Sequence, residues 1–147
     1  MKLKQVSIFL ENSPGRLYET TRALGDAGIN LRALTLNEAV DFGVLRLLVS
    51  NITKARQILM GKQFPARIDD VVAVEIKDEA GSLAEILEPL KKQNISVRYM
   101  YAFSGLDNKQ AVMIFCFSDM DKAIEILKEN NCTLLSAEAF GMLENVD

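Results

Sequence analysis

"LENSPGRLYETTRALGDAGIN", residues 10–30, decides how the chain folds. Leu10 closes an apolar strand pattern, Asn12-Ser13-Pro14-Gly15 interrupts it, and Leu17, Thr21, Leu24 and Ala27/Gly28 then recur along one helix face. The chain repeats the arrangement at residues 76–96, "IKDEAGSLAEILEPLKKQNIS", with glycine in the same relative place. Laying Gly15 on Gly81 sets an offset of 66 that holds without a gap for about 30 residues. Val6, Ile8 and Leu10 fall on Val72, Val74 and Ile76, Leu24 on Leu90, Ile29 on Ile95 and Arg32 on Arg98. Farther on the offset becomes 68, a two-residue insertion near "SGLDNKQ" (104–110), and "SNITKARQIL" (50–59) lies over "SDMDKAIEIL" (118–127). An offset this constant, over apolar and turn positions alike, marks a duplication.

Within each copy the periods alternate. "QVSIFLE" (5–11) has the two-residue alternation of a half-buried strand, residues 14–27 the spacing of a helix, and "AGINLRALTLNEA" (27–39) a second strand. Asp41-Phe42-Gly43 predicts a hairpin turn into "VLRLLVS", Thr53 a cap for a helix over 54–61 ending at Gly61, and "FPARI" a last short strand. The second copy predicts strands at 71–77, 95–103, 110–118 and 132–139 and helices at 80–93 and 120–130, with Pro89 inside the first. The fold expected is α+β: two ferredoxin-like βαββαβ repeats with antiparallel four-stranded sheets and helices on one face. The domains expected are residues 1–70 and 71–147. In "QAVMIFCFS" both alternating sets are apolar, so the set Ala111, Met113, Phe115 and Phe117 is expected to meet a partner, either the other repeat or a second copy in a homodimer.

The 147-residue chain carries 17 basic and 20 acidic residues, a net charge of −3. That mild acidity argues against a nucleic-acid partner or an anionic membrane surface, which want a concentrated basic face. No apolar run approaches the ~20 residues needed to span a bilayer, and the apolar part of the opening segment is short for a signal peptide, so a cytoplasmic location is expected. The chain has no histidine, and Cys116 and Cys132 form no CxxC pair, so neither a metal nor a cofactor is expected. No GxSxG elbow, phosphate-binding loop or dinucleotide fingerprint is present. Cys116 sits among apolar strand residues, where thiols are inert. Catalysis is therefore not expected.

The stretch 10–31, a strand ending in Asn-x-Pro-Gly, a helix, then Gly-Ile-Asn-hydrophobic, resembles the opening of an ACT domain, and residues 76–97 are similar with Ala80 in place of proline. The resemblance extends through the repeat order over essentially the whole chain. It implies a non-catalytic regulatory module that binds a free amino acid at a domain interface and acts in the control of amino-acid metabolism. In the serine-sensing ACT domains of a biosynthetic dehydrogenase, a histidine and an asparagine beside the first loop and an asparagine opening the second strand hold the ligand. The asparagines match Asn12 and Asn30, whereas Leu10 takes the histidine position. Asp78 and Ser96 occupy the asparagine positions in the second copy. The alternative implied is a subunit that docks on a biosynthetic enzyme, as the small regulatory subunit of acetolactate synthase does.

Elementary chemistry allows the loop this use. A helix N-terminus offers unpaired N–H groups and a partial positive charge to a carboxylate. Pro14 suits a first helical turn, Gly15 admits close approach, and an asparagine both donates and accepts. The candidate ligand site is Asn12, Ser13, Pro14, Gly15, Arg16, Leu17 and Asn30, with a weaker counterpart at Asp78, Ala80, Gly81, Ser82, Leu83 and Ser96. Ser13-Pro14-Gly15 also reads as an ordinary helix start and Asn30 as a turn residue. Arg32 and Arg98 suit either a carboxylate or solvent, and Tyr99, Met100 and Tyr101 suit packing better than a pocket.

Overall fold

The computed structural model describes residues 1–104 and 110–142. The two-residue insertion expected near residues 104–110 lies outside the described residues. The elements are β1 (Leu3–Glu11), α1 (Arg16–Asp26), β2 (Leu31–Ala39), β3 (Phe42–Val49), α2 (Ile52–Gly61), β4 (Ala66–Lys77), α3 (Ser82–Lys92), β5 (Val97–Ser104), β6 (Gln110–Phe117), α4 (Met120–Glu129) and β7 (Thr133–Leu135), followed by a 3₁₀ turn at Ala137–Phe140. The strands at "FPARI" and 71–77 are one continuous β4. Only Asp69 and Asp70 separate them, and both stay within the extended strand, with neither glycine nor proline to turn the chain. The last strand, expected over 132–139, stops at Leu135 and gives way to the 3₁₀ turn.

The chain divides into two compact units, one of Lys4–Asp69 with residues 137–142, the other of Met1–Leu3 with Asp70–Ser136. In the first, the strand order is β2-β3-β1 and then the start of β4. Strands β1 and β2 both pair with β3 antiparallel, with Val6 opposite Leu47 and Leu34 opposite Leu47 on its other side. Phe9 N–H donates to the Pro65 carbonyl at 2.9 Å. Val6, Ile8, Leu10, Leu45, Leu47 and Val49 pack beneath Leu24 of α1 and Ala55 and Leu59 of α2. In the second unit β7, β4, β6 and β5 lie in that order, with Val74 opposite both Met113 and Leu134. Each unit thus has the split βαβ arrangement.

Met113, Phe115 and Phe117 face the helices, packed with Leu90, Ala123 and Leu127, and the rings of Phe115 and Phe117 stack at 4.9 Å. Val112, Ile114 and Cys116, on the other face, are buried too. The expectation that the phenylalanine row meets a partner is therefore corrected. Period-two patterning separates two faces without saying which the helices cover.

The four α-helices among the described residues close in one way. Gly28, Gln63, Asn94 and Asn131 take left-handed backbone angles (φ 76°, 60°, 59° and 60°) just past each helix. The N–H of the next residue then donates to the carbonyl five positions back: Ile29 to Leu24, Phe64 to Leu59, Ile95 to Leu90 and Cys132 to Leu127. Gly61, expected to close α2, is instead its last residue. Helix α2 is capped by Asn51, whose Oδ1 accepts from Lys54 N–H at 3.0 Å, and Thr53 lies inside the helix. Asp119 caps α4 in the same way through Lys122.

Candidate functional site

The loop between β1 and α1 is built around Gly15. It is the N-cap of α1 with φ 89° and ψ −13°, and Gly81 holds φ 88° and ψ −10° before α3. This left-handed conformation favours glycine and puts Pro14 one residue outside the helix rather than in its first turn. Ser13 N–H donates to the Glu11 carbonyl at 2.8 Å, which folds the chain tightly before Gly15. Neither helix has a side-chain cap at this end, so the first-turn N–H groups around Leu17 face outward without the usual hydroxyl or carboxylate. Asn12, Ser13, Pro14 and Gly15 are exposed, as are Asp78, Ala80 and Gly81. A Cβ placed on Gly15 or Gly81 meets no atom within 4 Å, so the space above each loop is open.

Arg16 does not rise from the loop. Its Nη1 donates to Glu19 at 2.8 Å, its guanidinium carbon lies 4.6 Å from the centre of the Phe64 ring, and its Nε is buried without a hydrogen-bond partner. Leu17 is 41% exposed, whereas the matching Leu83 packs against the core of its unit. Ser82 is buried.

Asn30 is elsewhere. Its N–H donates to Ser50 Oγ at 2.9 Å and its carbonyl accepts from Ser50 N–H at 2.9 Å, which fixes it at the Val49 end of β3. Asn12 follows Glu11, which pairs with Phe42 at the other end of that strand. The length of β3 separates them, roughly 20 Å or more at ~3.3 Å per residue. The structure thus brings residues 12–17 together and leaves Asn30 at the far end of the sheet. The second repeat does the same: Ser96 is clamped to Ser118 by bonds of 3.0 and 2.9 Å, far from Asp78. The paired serines, missed when the loop was read alone, are visible in the repeat as Ser50 over Ser118.

Arg32 donates from Nε to the Gly141 carbonyl at 3.3 Å, so its guanidinium is engaged by the C-terminal segment. Among the described residues no group of three or more His, Cys, Asp or Glu side chains is placed to hold a metal, and no helix is long and apolar enough to cross a membrane.

A family model described as an ACT domain pair matches residues 1–143. The chain belongs to the ACT domain-pair family. This ACT pair is similar to the crystal structure of protein BT0572 from Bacteroides thetaiotaomicron, with 42% identity and a TM-score of 0.90 over 97% of this chain and 98% of that one. It shares its fold with the regulatory subunit of aspartate kinase from Thermus thermophilus in a ligand-free form (11% identity, TM-score 0.59, covering 86% and 90%). It also shares it with the aspartokinase alpha and beta subunits (18% identity, TM-score 0.55, covering 85% and 90%). No curated protein sequence matches at a significant level.

Proposed function

We propose that this ACT pair is a non-catalytic regulator that binds a free amino acid at the loop Asn12–Leu17. The observation that carries the reading is the uncapped N-terminus of α1, opened to solvent by the left-handed Gly15. An amino acid's carboxylate suits those N–H groups, and Asn12 offers the ammonium an acceptor. Because Asn30 lies at the other end of β3, it joins the same ligand only from a second copy of the chain. The edge strand β2 supports such pairing: Leu34 and Leu36 are 57% and 48% exposed and Val40 beyond them 83%. These residues, rather than β6, now carry the expectation of a homodimer. An enzyme docked on the same apolar edge is the second reading.

Thermal melting with each proteinogenic amino acid tests the function. A ligand at a hundred times its Kd stabilises by ~2.7 kcal/mol and raises Tm clearly. Asn12→Ala and Asn30→Ala should each weaken the response. In a 1:1 co-refolded mixture about a quarter of the sites should recover, since half the dimers are mixed and each pairs one intact Asn12 with one intact Asn30. A flat response to every amino acid at millimolar concentration makes the loop a turn only. Recovery of a stoichiometric enzyme from cells, with no amino-acid effect, favours the second reading.

A further inference from the structure

Strand β2 ends the sheet of the first repeat, pairing with β3 on one side and with no other strand among the described residues. Such an edge leaves alternate N–H and C=O groups unpaired and is a template for a further strand, unless lysine or proline blunts it. Residues 31–39 contain neither. Leu34 and Leu36 lie opposite Leu47 and Leu45 of the core, so they share the helix side of the sheet, yet both are exposed. The two charges of the strand, Arg32 and Glu38, stand three residues to either side of Thr35.

That order makes the edge complementary to itself. Opposed residues in an antiparallel pair share a face, so a two-fold axis between two copies of β2 passes through a residue rather than between two. Through Thr35 it sets Leu34 against the partner's Leu36 and Arg32 against the partner's Glu38, each twice. Through Leu34 it would set Leu36 on the partner's Arg32, and through Leu36 it would set Leu34 on the partner's Glu38. Of the three, the Thr35 axis alone joins apolar to apolar and opposite charges to each other. Both charges are available for it. Arg32 is the extra residue of the bulge between Leu31 and Ala33, exposed, and it reaches Gly141 through Nε, which leaves its two Nη groups for a carboxylate. Glu38 is exposed and forms no ion pair with another described residue.

The second repeat lacks the match. Arg98 stands at the Arg32 position, but Ser104 and Ala102 replace Glu38 and Leu36. Two copies of β5 would gain no ion pair, and β2 on a partner's β5 would gain one. The closed β2 pair, with two, is favoured over an open chain of copies.

We propose that a second copy of this chain pairs on β2 about a two-fold axis through Thr35, fixed in register by two Arg32–Glu38 ion pairs. The partner's Asn30 then comes to the Val40 end of β2, the end of the sheet at which Phe42 pairs with Glu11 and the loop Asn12–Leu17 begins. What the partner's Asn30 does there rests on the amino-acid reading above, whereas the pairing stands without it.

Sedimentation of the intact chain at micromolar concentration should show a dimer. Under mild oxidation Thr35→Cys should form a covalent dimer, because opposed Cα atoms stand ~4.5–5.5 Å apart, within disulfide range. Leu34→Cys, whose two copies would stand ~8 Å apart, should cross-link no faster than the parent with its own Cys116 and Cys132. Glu38→Arg and Arg32→Glu should each raise the dimer Kd roughly tenfold or more by setting like charges together twice. An equimolar mixture of the two should recover the parental affinity, since a mixed dimer restores both ion pairs. The cysteine variants decide the register if loss of the Gly141 contact unfolds Arg32→Glu. The proposal is overturned by a monomer, by open-ended oligomers, by Leu34→Cys cross-linking as fast as Thr35→Cys, or by a folded mixture as weak as its components. A dimer in this register whose melt no amino acid shifts overturns the loop reading alone, and an amino-acid response from a monomer overturns the pairing alone.

Discussion

Gly15 and Gly81 show how one residue's backbone angle sets the use of a loop. Each needs φ near 90°, and a side chain there costs ~1–2 kcal/mol even though it would clash with nothing. Gly15→Ala should therefore lower stability by about that amount, and Gly81→Ala equally, in chemical denaturation without ligand. Only Gly15→Ala should also reduce an amino-acid-induced rise in Tm. A buried polar chain, Gln5 to Ser7 at 3.4 Å and Ser7 Oγ to Asp69 at 2.8 Å, with Arg67 on the far side of Asp69 at 2.8 Å, works in the opposite sense. Gln5 and Ser7 are fully buried, so Asp69→Ala should destabilise by ~1–3 kcal/mol through the acceptor lost to Ser7. Isosteric Asp69→Asn keeps an acceptor and should cost less. At the surface, Lys2 meets Asp121 at 2.8 Å and holds its carboxyl below the usual range. What stability this gives is present above the ordinary carboxylate pKa and fades as pH falls through the lowered one. A Lys2→Met variant should therefore differ from the parent less in acid than at neutral pH.

Helices and strands were legible to different degrees. The helix faces at Leu24 and Leu90, the strand alternation and the order of elements could be read because burial imposes periods of 3.6 and 2. The caps could not be placed as well. Thr53 and Asn51 are both good capping residues two positions apart, and the choice falls to the extended backbone of Asn51, φ −146°. Asn51→Ala and Asp119→Ala should each cost ~1 kcal/mol, and Thr53→Ala little, in thermal melts. The facing of β6 was hidden because both its sets are apolar. With Phe115 fully buried against the helices, Phe115→Ala should cost ~3–5 kcal/mol. Of the candidate site, the contiguous loop was legible from its Asn-x-Pro-Gly signature. The distance between Asn12 and Asn30 was not, because it depends on β1 and β2 running parallel to each other on either side of β3.

Across the whole molecule, each compact unit takes a short piece from the remote end of the chain. Phe140 and Met142 are buried, Gly141 sits under the Arg32 guanidinium with a built Cβ 3.0 Å from it, and residues 137–142 belong to the unit of Lys4–Asp69. Truncation after Ser136 should therefore destabilise the first repeat, seen as faster amide exchange in α1 and β2, while β6 stays protected. Faster exchange in β6 than in β2 would contradict that assignment. The arrangement also bears on synthesis. Ribosomes add about 5–20 residues per second, so the unit that emerges first waits several seconds, while more than seventy further residues are made, for the segment that completes it. Its partner unit, closed at Ser136, finishes only moments earlier. The two halves of the duplication thus reach their complete folds almost together, and a chain released early lacks the piece that its oldest part needs.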